Sequence, residues 1–160
     1  MALFLCVPCV LWDDLIRFMK QFDMTIPSEL NKPLPFVLIV DDEIDMIDLL
    51  TAVLQSGDEE LDVAGAQGGV EALLIIGERK PDLLVLDIMM PGMNGIEICG
   101  QLKADPVTRK IRIVAMSGQH DSAVRDRILA AGADRFFVKP FNMAEFRSEC
   151  VELIHSPGAR

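Results

Sequence analysis

Short apolar runs recur along most of this chain, and each ends on polar residues. The runs at 36–40 (FVLIV), 83–86 (LLVL) and 111–116 (IRIVAM) read as strands, that at 83–86 buried on both faces. Weaker runs at 61–64 and 136–138 keep the same rhythm. Between them, apolar residues fall at helical spacing over 45–54, 69–77, 96–104, 122–131 and 143–154. Gly132 takes a C-cap position after the fourth of these helices. Strands and helices that alternate through short loops predict an α/β fold, a five-stranded parallel sheet with helices on both faces. The common doubly wound order, 2-1-3-4-5, makes strands 1, 3, 4 and 5 consecutive neighbours.

The stretch LLVLDIMMPGMNG, 83–95, shows what such a sheet can carry. Asp87 closes an apolar run, and Pro91, Gly92, Asn94 and Gly95 then mark a loop. A carboxylate is costly to bury unpaired, so it belongs at the strand's carboxyl end, where open parallel sheets place their ligand crevice. A lone Asp there more often caps the next helix; its company changes that reading. The first strand ends in Asp41 and Asp42, the fourth in Ser117 and the fifth in Lys139, whereas the second delivers nothing comparable. Three neighbouring carboxylates repel and require a cation or a proton. Oxygen-only ligands suit Mg²⁺, which keeps waters and prefers a substrate phosphate to a complete protein cage. Asp41 and Asp42 would then hold the metal, leaving Asp87 as a nucleophile, with Lys139 and the Ser117 hydroxyl on phosphoryl oxygens. The bond before Pro140 is a candidate cis peptide.

Composition narrows the partners. A chain of 160 residues that is 51% hydrophobic suits one full-sized core. Acidic residues outnumber basic ones 25 to 15, a net charge of -10, which speaks against nucleic acid and against anionic membranes as partners. The four cysteines, at 6, 9, 99 and 150, fit a reduced cytoplasmic protein, with Cys99 and Cys150 acting as small buried hydrophobes.

Residues 1–35 differ from the rest. Leu11, Leu15, Phe18 and Phe22 form a helical apolar stripe that Trp12, Ile16 and Met19 widen, and Asp13 can pair with Arg17. The apolar run at 2–12 is too short to span a bilayer. The CVPC at 6–9 lacks the preceding strand that a redox motif needs. Prolines 27, 33 and 35 give 25–35 the character of a linker. The stripe either lies on its own domain or serves self-association or partner docking; a third reading starts translation at Met24.

The motifs VDDE (40–43), LDIMMPGMNG (86–95), AMSG (115–118) and AGADRFFVKPF (131–141) together resemble a response regulator receiver domain of two-component signalling. The resemblance covers roughly residues 36–154, and it divides the chain into an extension at 1–35, a receiver at 36–155 and a tail at 156–160. It implies a flavodoxin-like fold in which Asp87 accepts a phosphoryl group from a histidine kinase or a histidine phosphotransfer protein. It further implies that Asp42 ligates Mg²⁺ directly, Asp41 through water, and Met89 through its backbone carbonyl. Ser117 and Lys139 would bind the phosphoryl group, and Phe136 matches the aromatic that turns inward as the Ser117 hydroxyl moves. Two positions depart from the common pattern: Gly118 stands where many relatives have Ala, and Met89 is apolar where its side chain borders the phosphoryl group.

The resemblance implies a signalling receiver rather than an enzyme with a separate substrate. Only six residues follow Ile154, so a stand-alone receiver is expected, with output through protein contact with a downstream target. The fourth helix, fifth strand and fifth helix form the expected face for that contact, and for self-association alongside the N-terminal helix. A haloacid dehalogenase type of phosphohydrolase would need a second Asp two residues after the nucleophile, where Met89 stands. A receiver reduced to a binding module would have lost an acidic pocket residue, and all are in place.

Overall fold

A computed structural model describes residues 33–92 and 94–156. The apolar stripe at 11–22, the cysteines at 6 and 9, Met24 and most of the proline-containing linker lie outside the described residues.

Strands and helices alternate as the hydrophobic pattern predicts: β1 (Phe36–Val40), α1 (Ile44–Gln55), β2 (Asp62–Ala66), α2 (Gly69–Glu78), β3 (Leu83–Asp87), α3 (Gly95–Ala104), β4 (Arg112–Ser117), α4 (Ser122–Ala130), β5 (Arg135–Val138) and α5 (Met143–His155). The strands form one parallel sheet in the order β2-β1-β3-β4-β5. The fold is therefore the doubly wound, flavodoxin-like one.

Successive side chains of a strand point to opposite faces, and both faces here are apolar. Leu38, Val40, Leu84, Leu86, Ile113 and Ala115 face the layer of α2, α3 and α4, meeting Ala72, Ile76, Cys99, Leu102 and Ile128. Val37, Ile39, Leu83, Val85, Val114 and Met116 face α1 and α5, meeting Ile47, Leu50, Leu54, Phe146, Cys150 and Leu153. Fully burying such a side chain contributes about 1.5–3 kcal/mol. The three inner strands, β1, β3 and β4, are thus anchored on both sides, which fixes their register and the position of whatever follows them.

Two strands run one residue beyond their apolar stretch. β3 includes Asp87, paired in register with Met116, and β4 includes Ser117, paired with Val138. The edge strand is offset from the expected 61–64. Leu61 is buried ahead of the strand, and Gly65 and Ala66 complete the pairing with Ile39 and Val40. Small residues carry little hydrophobic signal, so the pattern placed this strand too early.

Local chemistry explains how the loops at the carboxyl rim turn. Asn94, Asp121 and Asn142 cap α3, α4 and α5, each side chain accepting from backbone N–H groups of the first turn. Gly95 opens α3 against the strand end, where an added Cβ would lie 2.7 Å from Ile88 Cα. At the opposite end of α4, Gly132 adopts φ +107 just past the C-cap Ala131.

Candidate functional site

Strand alternation determines which rim residues can meet. Asp41 follows Val40, Asp87 follows Leu86 and Lys139 follows Val138, and all three share the parity of the α1 and α5 layer. Ser117 and Phe136 have the opposite parity, on the side of α2 to α4. The backbone ladder continues past the strands to level these ends: Asp41 N–H donates to Ala66 O at 3.1 Å, Ile88 N–H to Met116 O at 3.0 Å, and Lys139 N–H to Ser117 O at 2.8 Å.

At the centre of the rim Lys139 Nζ lies 2.6 Å from Asp41 Oδ2 and 2.6 Å from Asp87 Oδ2. Asp41 is fully buried and Asp87 is 6% exposed, while Asp42 beside them is exposed. One carboxylate oxygen from each of Asp41, Asp42 and Asp87 falls within 4.8 Å of the others. Three carboxylates against one ammonium leave a formal charge deficit that one divalent cation would balance, and the donors are all oxygen. The residues therefore fit a hard cation such as Mg²⁺. Burial works to lower the Lys139 pKa, but hydrogen bonds from Asp41 and Asp87, and their charges, outweigh it and hold the ammonium above its ordinary value.

Three rim side chains are oriented by the same local device. Asp41 Oδ1 accepts from Glu43 N–H at 3.0 Å, Asp87 Oδ1 from Met89 N–H at 2.7 Å, and Ser117 Oγ from Gln119 N–H at 3.1 Å. In each case a side-chain oxygen accepts the amide two residues on, a turn typical of Asp and Ser where a strand ends. This repeated motif was missed in the sequence, although a short polar residue closing an apolar run is its signal.

The structure brings Asp41, Asp42, Asp87 and Lys139 together and places Ser117, fully buried, at the end of the adjoining strand. Met89 is 46% exposed at the mouth. Phe136 is half-buried against the layer of α2 to α4, on the same sheet face as Ser117 and away from the carboxylates. The Lys139–Pro140 peptide is cis. Lys139 also grips Asp41, a contact that the sequence reading did not anticipate.

Comparison with known proteins places the fold in a family. The family description "Response regulator receiver domain" matches residues 37–150. The phosphate regulon transcriptional regulatory protein PhoB of Rhizobium meliloti is 39% identical over 112 residues, 70% of this chain and 48% of that protein. The DNA-binding response regulator MtrA of Mycobacterium tuberculosis is 38% identical over 109 residues, covering 68% and 46%. Among solved structures, the signal receiver domain of a DNA-binding response regulator from Colwellia psychrerythraea 34H superposes with a TM-score of 0.72 at 31% identity, covering 76% of this chain and 98% of that one. A CheY-like receiver domain protein from Methanospirillum hungatei JF-1 gives 0.69 at 25% identity, covering 76% and 94%.

These relatives correct one expectation. The net charge of -10 speaks against nucleic acid as a partner, yet MtrA and the Colwellia protein are DNA-binding regulators. The charge of a receiver's own residues reports its acidic pocket and helices. It says nothing about the surface with which a regulator meets DNA. The chain spans about half the length of the curated relatives it matches.

No helix among the described residues is long and apolar enough to cross a membrane. The match over 37–150, the sheet order and the relatives agree, and the chain belongs to the response regulator receiver domain family.

Proposed function

We propose that residues 36–155 act as a phosphoacceptor receiver in the cytoplasm, with Asp87 taking a phosphoryl group from the phosphohistidine of a kinase or a phosphotransfer protein. An Asp87 carboxylate oxygen attacks phosphorus and the phosphorus–nitrogen bond breaks. Its electron pair stays on the imidazole, which takes a proton from solvent, and an acyl phosphate remains on Asp87. The single observation that carries this reading is the Lys139 ammonium held 2.6 Å from both Asp41 and Asp87. It is a fixed positive charge beside the nucleophile, where phosphoryl charge would develop.

Asp42, Asp87, the Met89 carbonyl and, through water, Asp41 would hold Mg²⁺, whose charge would offset that of the phosphoryl oxygens. Lys139 takes one phosphoryl oxygen and the Ser117 hydroxyl donates to another. Ser117 and Phe136 lie on one face of the sheet, which supports a coupled movement of the two toward the layer of α4. The chain catalyses its own phosphorylation and dephosphorylation and turns over no separate substrate. The names of the relatives extend the reading to control of DNA binding as an output.

Incubation with a small phosphodonor, read by intact mass, tests the proposal. One phosphoryl group should add in the presence of Mg²⁺ and none once a chelator has removed it. Labelling that is indifferent to Mg²⁺ contradicts the assigned metal role.

A further inference from the structure

Lys139 stands midway in sequence between two aromatic residues, Phe137 on β5 and Phe141 in the loop before α5. Both rings rest on Phe146 of α5, which is fully buried. Phe137 and Phe146 meet edge to face, with centroids 5.4 Å apart and planes at 71°. Phe141 stacks on Phe146 at 5.2 Å and 28°, and meets Phe137 at 5.2 Å and 54°. Aromatic pairs attract at all three separations. The rings therefore close a triangle, and the chain over 137–141 leaves it and returns to it with Lys139 in the middle.

Phe137 and Phe146 belong to the core between the sheet and the layer of α1 and α5. Phe141 differs: it lies in no strand or helix, is half-buried, and packs on that core from the loop. The start of α5 does not need its ring, since Asn142 caps the helix with its own side chain, accepting from Ala144 and Glu145 N–H. What the ring does is hold the far end of the loop. The near end is held by β5, and Lys139 N–H itself donates to Ser117 O at 2.8 Å. A lysine side chain has much rotamer freedom to lose. A backbone fixed on both sides of it reduces what the ammonium gives up in spanning two carboxylates.

We propose that Phe141 is a positioning residue for Lys139: by closing the ring triangle it sets the loop from which the ammonium reaches Asp41 and Asp87, each at 2.6 Å. Its part in phosphoryl transfer rests on the phosphoacceptor reading of Asp87, whereas its hold on the ammonium does not. Phe141 acts through Lys139 and not on the phosphoryl group.

Phe141→Leu keeps apolar bulk and removes the ring; should it fail to fold, Phe141→Met replaces it. Two readouts on the full chain test the proposal. Without Mg²⁺ or phosphodonor, ¹H–¹⁵N spectra of the wild type should show a slowly exchanging Lys139 ammonium, held by its two carboxylates. Phe141→Leu should lose that signal, and Ile154→Val, a core change near the carboxyl end of α5, should keep it. With Mg²⁺ and a small phosphodonor, the initial labelling rate should fall roughly tenfold or more in Phe141→Leu. Added to Lys139→Ala, the same change should alter the rate by less than about twofold. A retained ammonium signal in folded Phe141→Leu, or an equal loss in Ile154→Val, overturns the proposal. So does an unchanged labelling rate in Phe141→Leu, or a fall as large in the Lys139→Ala background as in the wild type. A wild type that takes no label while its ammonium signal still depends on Phe141 overturns the phosphoacceptor reading and supports the hold on Lys139.

Discussion

Lys139 Nζ stands 2.6 Å from Asp87 Oδ2 across 52 residues of sequence, and the same ammonium closes on the fully buried Asp41. Its raised pKa means that the ion pair contributes stability throughout the range below the ordinary lysine value, and loses it only as pH rises through the folded value. Lys139→Ala should therefore fold at neutral pH but lose roughly 1–3 kcal/mol, because Asp41 and Asp87 then face each other with no cation between them and only their backbone N–H donors left. Mg²⁺ should recover part of that loss by binding the folded state. Urea denaturation with and without Mg²⁺ checks this. Beryllofluoride, a phosphoryl mimic, should move far fewer amide resonances in the variant than in the wild type.

Asp134, half-buried at the opposite end of the sheet, is a single carboxylate held by two cations. It accepts from Lys103 Nζ, Arg112 Nη1 and Ile113 N–H, each at 2.9 Å. Burial pushes its pKa up, but the Ile113 amide and the Lys103 and Arg112 side chains outweigh that and hold it below the usual carboxylate value. Its contribution is thus present above the ordinary Asp pKa and is lost as pH falls through the lower folded value. Asp134→Ala should cost roughly 3 kcal/mol at neutral pH. The gap from wild type should narrow as pH drops below about 4, measured by urea midpoints.

Gly95 separates close approach from mere tolerance. An added Cβ would sit 2.7 Å from the Ile88 backbone, next to the strand that ends in Asp87. Gly95→Ala should cost roughly 1–3 kcal/mol and perturb the loop after Asp87. Gly100, one turn along in α3, has nothing within 4 Å of the added atom. Gly100→Ala should stabilise by about 0.5–1 kcal/mol through helix propensity. Paired thermal melts decide between these opposite signs.

The cysteines of the two core layers should behave as packing. Burial raises the Cys99 thiol to about 11 and the Cys150 thiol to about 12, so neither forms thiolate at neutral pH. Peptide mapping after iodoacetamide treatment should find both unmodified in the native protein and modified in denaturant.

Much of this was legible because one period governs the chain. Apolar runs of strand length, each closed by a polar residue, carry the sheet order, and the parity of Asp41, Asp87 and Lys139 follows from counting along their strands. The exact ends of β3 and β4 were not legible, since Asp87 and Ser117 join the ladder through backbone atoms that no side chain reports. Nor was the grip of Lys139 on Asp41, which depends on how two strands 98 residues apart level at the rim. The edge strand shifted because Gly65 and Ala66 pair without hydrophobic signal. The charge argument against nucleic acid failed for a different reason: relatives with a matching receiver are DNA-binding regulators, so the net charge of this chain does not exclude nucleic acid as a partner.

Phosphoryl acceptance by Asp87 is the central claim, and labelling of Asp87→Asn tests it most directly. The amide keeps the size and the hydrogen bond from Met89 N–H but lacks the carboxylate nucleophile. With a small phosphodonor and Mg²⁺, the wild type should gain one acid-stable, hydroxylamine-labile phosphoryl group by intact mass, and Asp87→Asn should gain none. Undiminished label on a folded Asp87→Asn protein would contradict the account.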